Sequence, residues 1–334
     1  MCTATMRTRA KRILITPLDW AFNLRGSLPF YLGFGFEVRD MSAELPTVDL
    51  EVWKQVVSDK ARDSIKNWSV CLINNYREPF VRGDRQVLVE TLMHYVVAHL
   101  RLIVPNRTNA DRFLRVEVTT QGLRAMTITD HAAPLFLEDC EQMCAELKIE
   151  HLQKLKSWMP WIVGFKRRWK VYYPLFLSLY FAEMARAEDE ARVRHLLRVM
   201  ALEALVSTDK RYGFNALRPK LPKLLGAQTD IYAQYRNSDQ PFLPPLILLS
   251  VLRDVCALRN KVAHGDTIPD RWVVRNCRHT FAFGQQLNYC EELLEAATGM
   301  LSLTWQSIMD GHLQAHFGTK DKMEAYFNST KVWP

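Results

Sequence analysis

The sequence has little that would build a covalent or metal framework. Its 334 residues hold seven cysteines, Cys2, Cys71, Cys140, Cys144, Cys256, Cys277 and Cys290, and none forms a CxxC pair. That spacing excludes a zinc ribbon, and an odd set of scattered thiols does not read as a disulfide framework. Reduced thiols of a cytoplasmic protein fit it best. Glycine (13) and proline (15) are sparse, so no low-complexity linker stands out, and no internal repeat is visible. Long apolar runs are missing too. The longest, "YYPLFLSLYFA" and "PFLPPLILLSVL", both contain proline and fall short of the ~20 residues that span a bilayer. They read as buried helices, and no membrane partner is expected. The opening "MCTATMRTRAKRILITPLDW" carries four Lys/Arg before its first acid, Asp19. Its apolar stretch is too short for a signal-peptide core, and it is compatible with an ordinary basic start or a transit peptide.

What is present is the composition of a folded protein, 48% apolar and 24% charged, with a net charge of +8. The length allows two domains, and the charge favours anionic partners such as nucleic acid. Helical periodicity dominates. It predicts helices over 51–76, 85–103, 134–158, 174–186, 190–207, 243–264 and 278–309. One stretch breaks the pattern. Leu114, Val116 and Val118 alternate with Arg115, Glu117 and Thr119, Gln121-Gly122 offers a turn, and Met126 and Ile128 alternate again. A short β-hairpin is expected there. Pro160, Gly164 and Pro174 punctuate the chain and suggest a boundary near residue 160. The expectation is a mainly α protein: a mixed but mostly helical domain over 1–160, a helical bundle over 165–310, and a tail over 311–334.

Within "ALRNKVAHGD" (257–266) an arginine, an asparagine and a histidine fall within six positions before a glycine. At 3.6 residues per turn Val251, Val255, Leu258 and Val262 make one buried stripe. Asn260 and His264 are i, i+4 neighbours on the opposite face with Arg253 and Ala257, and Arg259 lies on the flank. The small Ala257 lets a second helix approach closely on that face. Gly265 suits a helix C-cap, with Pro269 shortly after it. A histidine in the last turn suits a group that must hold and deliver a proton near neutral pH. Spacing alone leaves two readings, a phosphate-handling site and a capped, solvated helix end.

"LRNKVAHG" resembles the signature of the HEPN superfamily, an arginine, a polar residue, three variable residues and a histidine, with Arg259, Asn260 and His264 at the fixed positions. The preceding "MALEALVSTD" (200–209), the following "LPKLLG" (221–226) and the closing "HG" are similar in particular to the Apea-like branch. The resemblance covers roughly 170–310. It implies a dimerising helical bundle that unites two copies of the motif, and a metal-independent endoribonuclease of a defence or toxin system. Two His264 residues would be base and acid, two Arg259 side chains would hold the phosphate, and Asn260 would orient phosphate or imidazole. RNA and a second copy are the implied partners, the dimer meeting through Arg253, Ala257 and Asn260. No cofactor is expected. The alternative is a non-catalytic dimerisation or RNA-binding module. Residues 1–160 resemble nothing identified, which leaves room for an unidentified regulator.

A second cluster lies in "HLQKLKSWMPWIVGFKRRWKVYYP" (151–174), where Lys166, Arg167, Arg168, Trp169 and Lys170 interleave cations with aromatics and no acid occurs between Glu150 and Glu183. Single-stranded RNA binding needs that mixture; a domain junction with core aromatics and a coat of cations gives the same pattern. Cys140/Cys144 and His312/His316 are i, i+4 pairs without further ligands or the glutamate of HExxH, so they read as packing or surface residues and no metal site is expected. Glu203 in "ALEAL" is either an inward partner for Arg259 or a carboxylate bound to its own helix face.

Overall fold

A computed structural model describes residues 11–18, 22–48, 65–77, 84–104, 112–130, 147–188, 190–208, 213–233, 245–268, 276–280 and 286–330. The chain divides into two compact units, Met1–His99 with Arg107–Ala133 and Glu146–Val163, and Leu100–Asn106 with Pro134–Ala145 and Gly164–Pro334.

The first unit overturns the mainly α expectation. Its centre is a six-stranded antiparallel sheet. The strands are β1 (Lys11–Pro17), β2 (Phe30–Gly33), β3 (Phe36–Asp40), β4 (Val70–Arg77), β5 (Arg112–Thr119) and β6 (Gly122–Asp130), in the order β2-β3-β4-β1-β5-β6. Part of the helix expected over 51–76 is therefore β4, a central strand between β1 and β3; residues 51–64 lie outside the described residues. Leu14 and Ile15 of β1 are both buried, as are Leu72 and Ile73 of β4. A strand covered on both faces reads as a continuous apolar run, which short windows cannot tell from a helix. The expected hairpin is β5–β6, with Thr119 opposite Gly122. Gly122 turns at φ +124, a conformation that L side chains rarely adopt.

One face of the sheet packs Ile13, Ile15, Ile73, Leu114 and Val116 against Met41, Leu45, Ile65 and Trp68. Helices α1 (Asp84–Ile103) and α2 (Ile149–Arg168) also belong in part to this unit. His94 of α1 meets Phe113 of β5 edge-on at 4.9 Å, His99 meets Trp161 of α2 at 5.7 Å, and Lys156 of α2 lies 5.7 Å over the Phe30 ring. The boundary expected near residue 160 falls inside α2, which continues through Pro160 and Gly164. Pro160 is exposed, so the carbonyl left without its helical N–H partner can meet water.

The second unit is built from α3 (Tyr173–Ala187), α4 (Ala191–Val206), the short α5 (Phe214–Leu217) and α6 (Leu221–Leu225), α7 (Leu248–His264), α8 (Tyr289–Asp310) and α9 (Lys320–Ser329). Helix α4 lies at its centre, in contact with α3, α7 and α8. Two buried polar bonds tie this core: Trp305 Nε1 donates to Ser178 Oγ at 3.0 Å, and His195 Nε2 to the Val255 carbonyl at 2.8 Å. The helix expected over 278–309 begins at Tyr289; before it lies a two-stranded pair, β7 (Asn276–Thr280) and β8 (Gln286–Asn288). The segment from 311 onward carries α9, with Phe317, Met323 and Phe327 buried. Among the described residues, no helix is long and apolar enough to cross a membrane.

Candidate functional site

Helix α7 carries the motif. Leu248, Val251, Leu252, Val255, Cys256 and Leu258 bury one face. Arg253, Asn260 and His264 are exposed on the other, with Ala257 half-buried between them. The helix ends where the chain turns left-handed at Gly265 (φ +69). The Gly265 N–H reaches the Val262 carbonyl at 3.3 Å and the Asp266 N–H the Lys261 carbonyl at 2.8 Å, so two of the last carbonyls are satisfied by the turn. His264 therefore sits in the final turn, in solvent.

Arg259 leans the other way, toward α4. Its Nη2 donates to Glu203 Oε2 at 3.2 Å, and its Nη1 to Asn260 Oδ1 at 3.2 Å. The two side chains of the ion pair are 16% and 9% exposed, Arg259 and Glu203 respectively. Glu203 Oε1 accepts the Gly213 N–H at 2.6 Å. Both carboxylate oxygens are thus engaged, one by the motif arginine and one by the backbone of the connector. Gly213 has φ +59, and a Cβ there would lie 3.5 Å from Asn260 Oδ1. Arg259 Nε is buried without a hydrogen-bond partner. Each terminal nitrogen keeps a second N–H beyond the two bonds already made.

Cys256 lies under this pair. Burial, with the Glu203 charge adding and Arg259 opposing, pushes its thiol up to about 12. It is held as a neutral thiol and is no nucleophile at neutral pH. His195, one helix away, is lowered to about 4 by burial, the hydrogen bond to Val255 opposing and the Arg198 charge adding. It stays neutral and structural.

The structure brings Arg259, Asn260 and Glu203 together and leaves His264 alone on the helix end. Sequence reading missed Gly213 and Cys256. The glycine of "RYGFNAL" was a visible signal, but nothing local says which carboxylate its N–H meets. In the second cluster Arg168 and Lys170 are exposed and Trp169 is 40% exposed, while the side chains of Lys166 and Arg167 lie outside what the structure describes. Lys170 Nζ stands 5.5 Å over the Trp169 ring. Cys140 and Cys144 lie outside the described residues. His316 packs against Tyr326 at 5.1 Å between ring centroids, and His312 is exposed. Among the described residues, no group of three or more His, Cys, Asp or Glu is placed to hold a metal ion.

Comparison of the chain with family models, with curated proteins and with solved structures finds no match.

Proposed function

We propose that this chain is a HEPN-type, metal-independent endoribonuclease of the cytoplasm that serves a defence or toxin system. The observation that supports it is one helix presenting a positioned arginine, an asparagine bonded to it, and an exposed histidine at i+5. RNA carries its own nucleophile. A base takes the proton of the 2′-OH, the 2′-oxygen attacks phosphorus, the bond to the 5′-oxygen breaks, and an acid protonates that oxygen. The products are a 2′,3′-cyclic phosphate and a 5′-hydroxyl. One chain supplies one motif histidine, so base and acid come from two copies of His264. The exposed face of Arg253, Ala257, Asn260 and His264 is where the two helices pair about a two-fold axis. Arg259 stabilises the charge that develops on phosphorus, using the N–H groups left over from Glu203 and Asn260.

The Arg259–Glu203 pair also favours the second reading, a non-catalytic RNA-binding or dimerisation module. There the arginine only ties α7 to α4, since a partly buried carboxylate already neutralises it. The experiment is incubation of purified chain with single-stranded RNA and DNA in excess chelator, beside Ala257→Arg and His264→Ala. The catalytic reading expects RNA alone to be cut, and both variants to be inactive, Ala257→Arg as a monomer. An RNA-binding dimer that cuts nothing establishes the second reading.

A further inference from the structure

Helix α3 exposes aromatic side chains that a folded unit ordinarily buries. Trp169 just before it is 40% exposed, Tyr173 50% and Tyr180 51%. Their rings form a connected run: Trp169 lies 6.5 Å from Tyr173 and 5.6 Å from Phe176, and Phe176 stacks on Tyr180 at 6.5 Å and 11°. Arg168 and Lys170 are exposed beside it, and the sequence holds no acid between Glu150 and Glu183. A contiguous exposed patch of this kind marks an interaction surface.

Tyr173 belongs to a second feature as well. A groove of about 360 Å³ lies between α3 and α4, lined by Tyr173 and Phe181, by Met200, Glu203 and Ser207, and by Lys320 at the start of α9. Its walls are mostly apolar, with the cation of Lys320 among them. Glu203, in its wall, is the residue whose carboxylate holds Arg259. Tyr173 of the aromatic run and Glu203, the partner of the motif arginine, thus line the same groove.

We propose that this groove is the track on which single-stranded RNA reaches the motif, with bases stacked on Trp169 and Tyr173 and phosphates met by Arg168, Lys170 and Lys320. The proposal rests on the ribonuclease reading and names the binding surface that reading lacks. Charge complementarity selects the occupant. The exposed cations suit a polyanion, since both oxygens of Glu203 in the wall are already engaged by Arg259 and the Gly213 N–H. Flat exposed rings suit unpaired bases, whose faces are open. Duplex RNA hides those faces within its own stack.

The test uses the full chain carrying His264→Ala, so that RNA is bound and not consumed. Binding of a short fluorescein-labelled single-stranded RNA is followed by anisotropy at fixed salt. Tyr173→Ala and Met200→Trp, the second filling the groove, are each expected to weaken binding roughly tenfold. Tyr173→Phe keeps the ring and should bind as its parent does. Unlabelled single strands should compete better than duplex of the same sequence, and 4-thiouridine cross-links should map to Trp169 or Tyr173. Unchanged affinity in both weakening variants, while the unmodified chain still cuts RNA, overturns the groove and leaves the ribonuclease reading standing. Loss of self-association in Tyr173→Ala with unchanged RNA affinity overturns it in favour of a contact between copies. A chain that neither binds nor cuts RNA overturns both.

Discussion

The two ends of the motif, five residues apart on α7, sit in opposite surroundings. Arg259 is clamped between Glu203 and Asn260 at a helix–helix contact, while His264 stands in solvent beyond the last buried residue of the helix. In the proposed ribonuclease the arginine belongs to the fold as well as to the site, and the histidine to the site alone. A substitution at each end therefore reports on a different thing, and motif residues cannot be compared by activity without also measuring stability.

The largest effect is expected at Arg259. Arg259→Ala removes the cation proposed for the phosphorane and leaves the partly buried Glu203 carboxylate without its ion-pair partner. Cleavage should fall below detection, and urea unfolding should show a loss of about 3 kcal/mol, at the low end for a buried pair because the arginine is not fully enclosed. Replacing both partners, Glu203→Leu with Arg259→Met, should recover only part of that stability, because the Gly213 N–H loses its acceptor, and none of the activity. If the single substitution leaves the unfolding midpoint in place, the clamp contributes nothing and the contrast between the two ends disappears.

His264→Ala comes next. Losing the proposed general acid and base should lower the cleavage rate by about 10²–10⁴-fold, with the unfolding midpoint and dimer mass unchanged. A variant that melts early would place the histidine in the fold beside Arg259.

The third effect separates the two histidines that face opposite environments. His195 is buried and held neutral, its value lowered to about 4 against 6.5 for a free imidazole, chiefly by burial. Between those limits the unfolded chain takes up a proton that the folded chain refuses. Its contribution is thus complete above pH 6.5 and is lost as pH falls toward 4, about 3 kcal/mol in all. His195→Gln can still donate to the Val255 carbonyl and should flatten that part of the stability–pH curve. An unchanged curve would show that His195 does not resist protonation.

The smallest effect is at the connector. Gly213→Ala forces a Cβ onto a backbone at φ +59 and ψ −137, which L side chains rarely adopt, and into contact with Asn260; it should cost about 2 kcal/mol with a modest loss of rate. Thermal melts and initial rates measure both.

These contrasts also mark what could be read from the chain alone. Helices α1 and α7 were legible because their apolar positions recur with the helical period over many residues. The β5–β6 hairpin was legible because apolar and polar residues alternate from Leu114 to Thr119. Strands β1 and β4 were not, because sheet neighbours on both sides and buried residues on both faces erase the alternation. The strand β2 is four residues long and ends at Gly33, and β3 is five, with Phe34 and Gly35 between them, too short for a period to show. At the site, Arg259, Asn260 and His264 share one helix, so their spacing already sets their faces. The Glu203 carboxylate had two readings until α4 was seen packed on α7. The Gly213 N–H, the Cys256 thiol and the groove beside Tyr173 are products of tertiary packing, and no local pattern announces them.

The most direct test of the central claim is the chemistry of the cut ends. A single-stranded RNA of defined sequence, incubated with the full chain in excess chelator, is resolved by mass spectrometry beside the His264→Ala control. Attack by the 2′-OH predicts 5′ fragments ending in 2′,3′-cyclic phosphate, 3′ fragments beginning with a 5′-hydroxyl, and neither in the control. Fragments carrying a 5′-phosphate, cutting that stops with chelator, or equal cutting by His264→Ala would contradict the account.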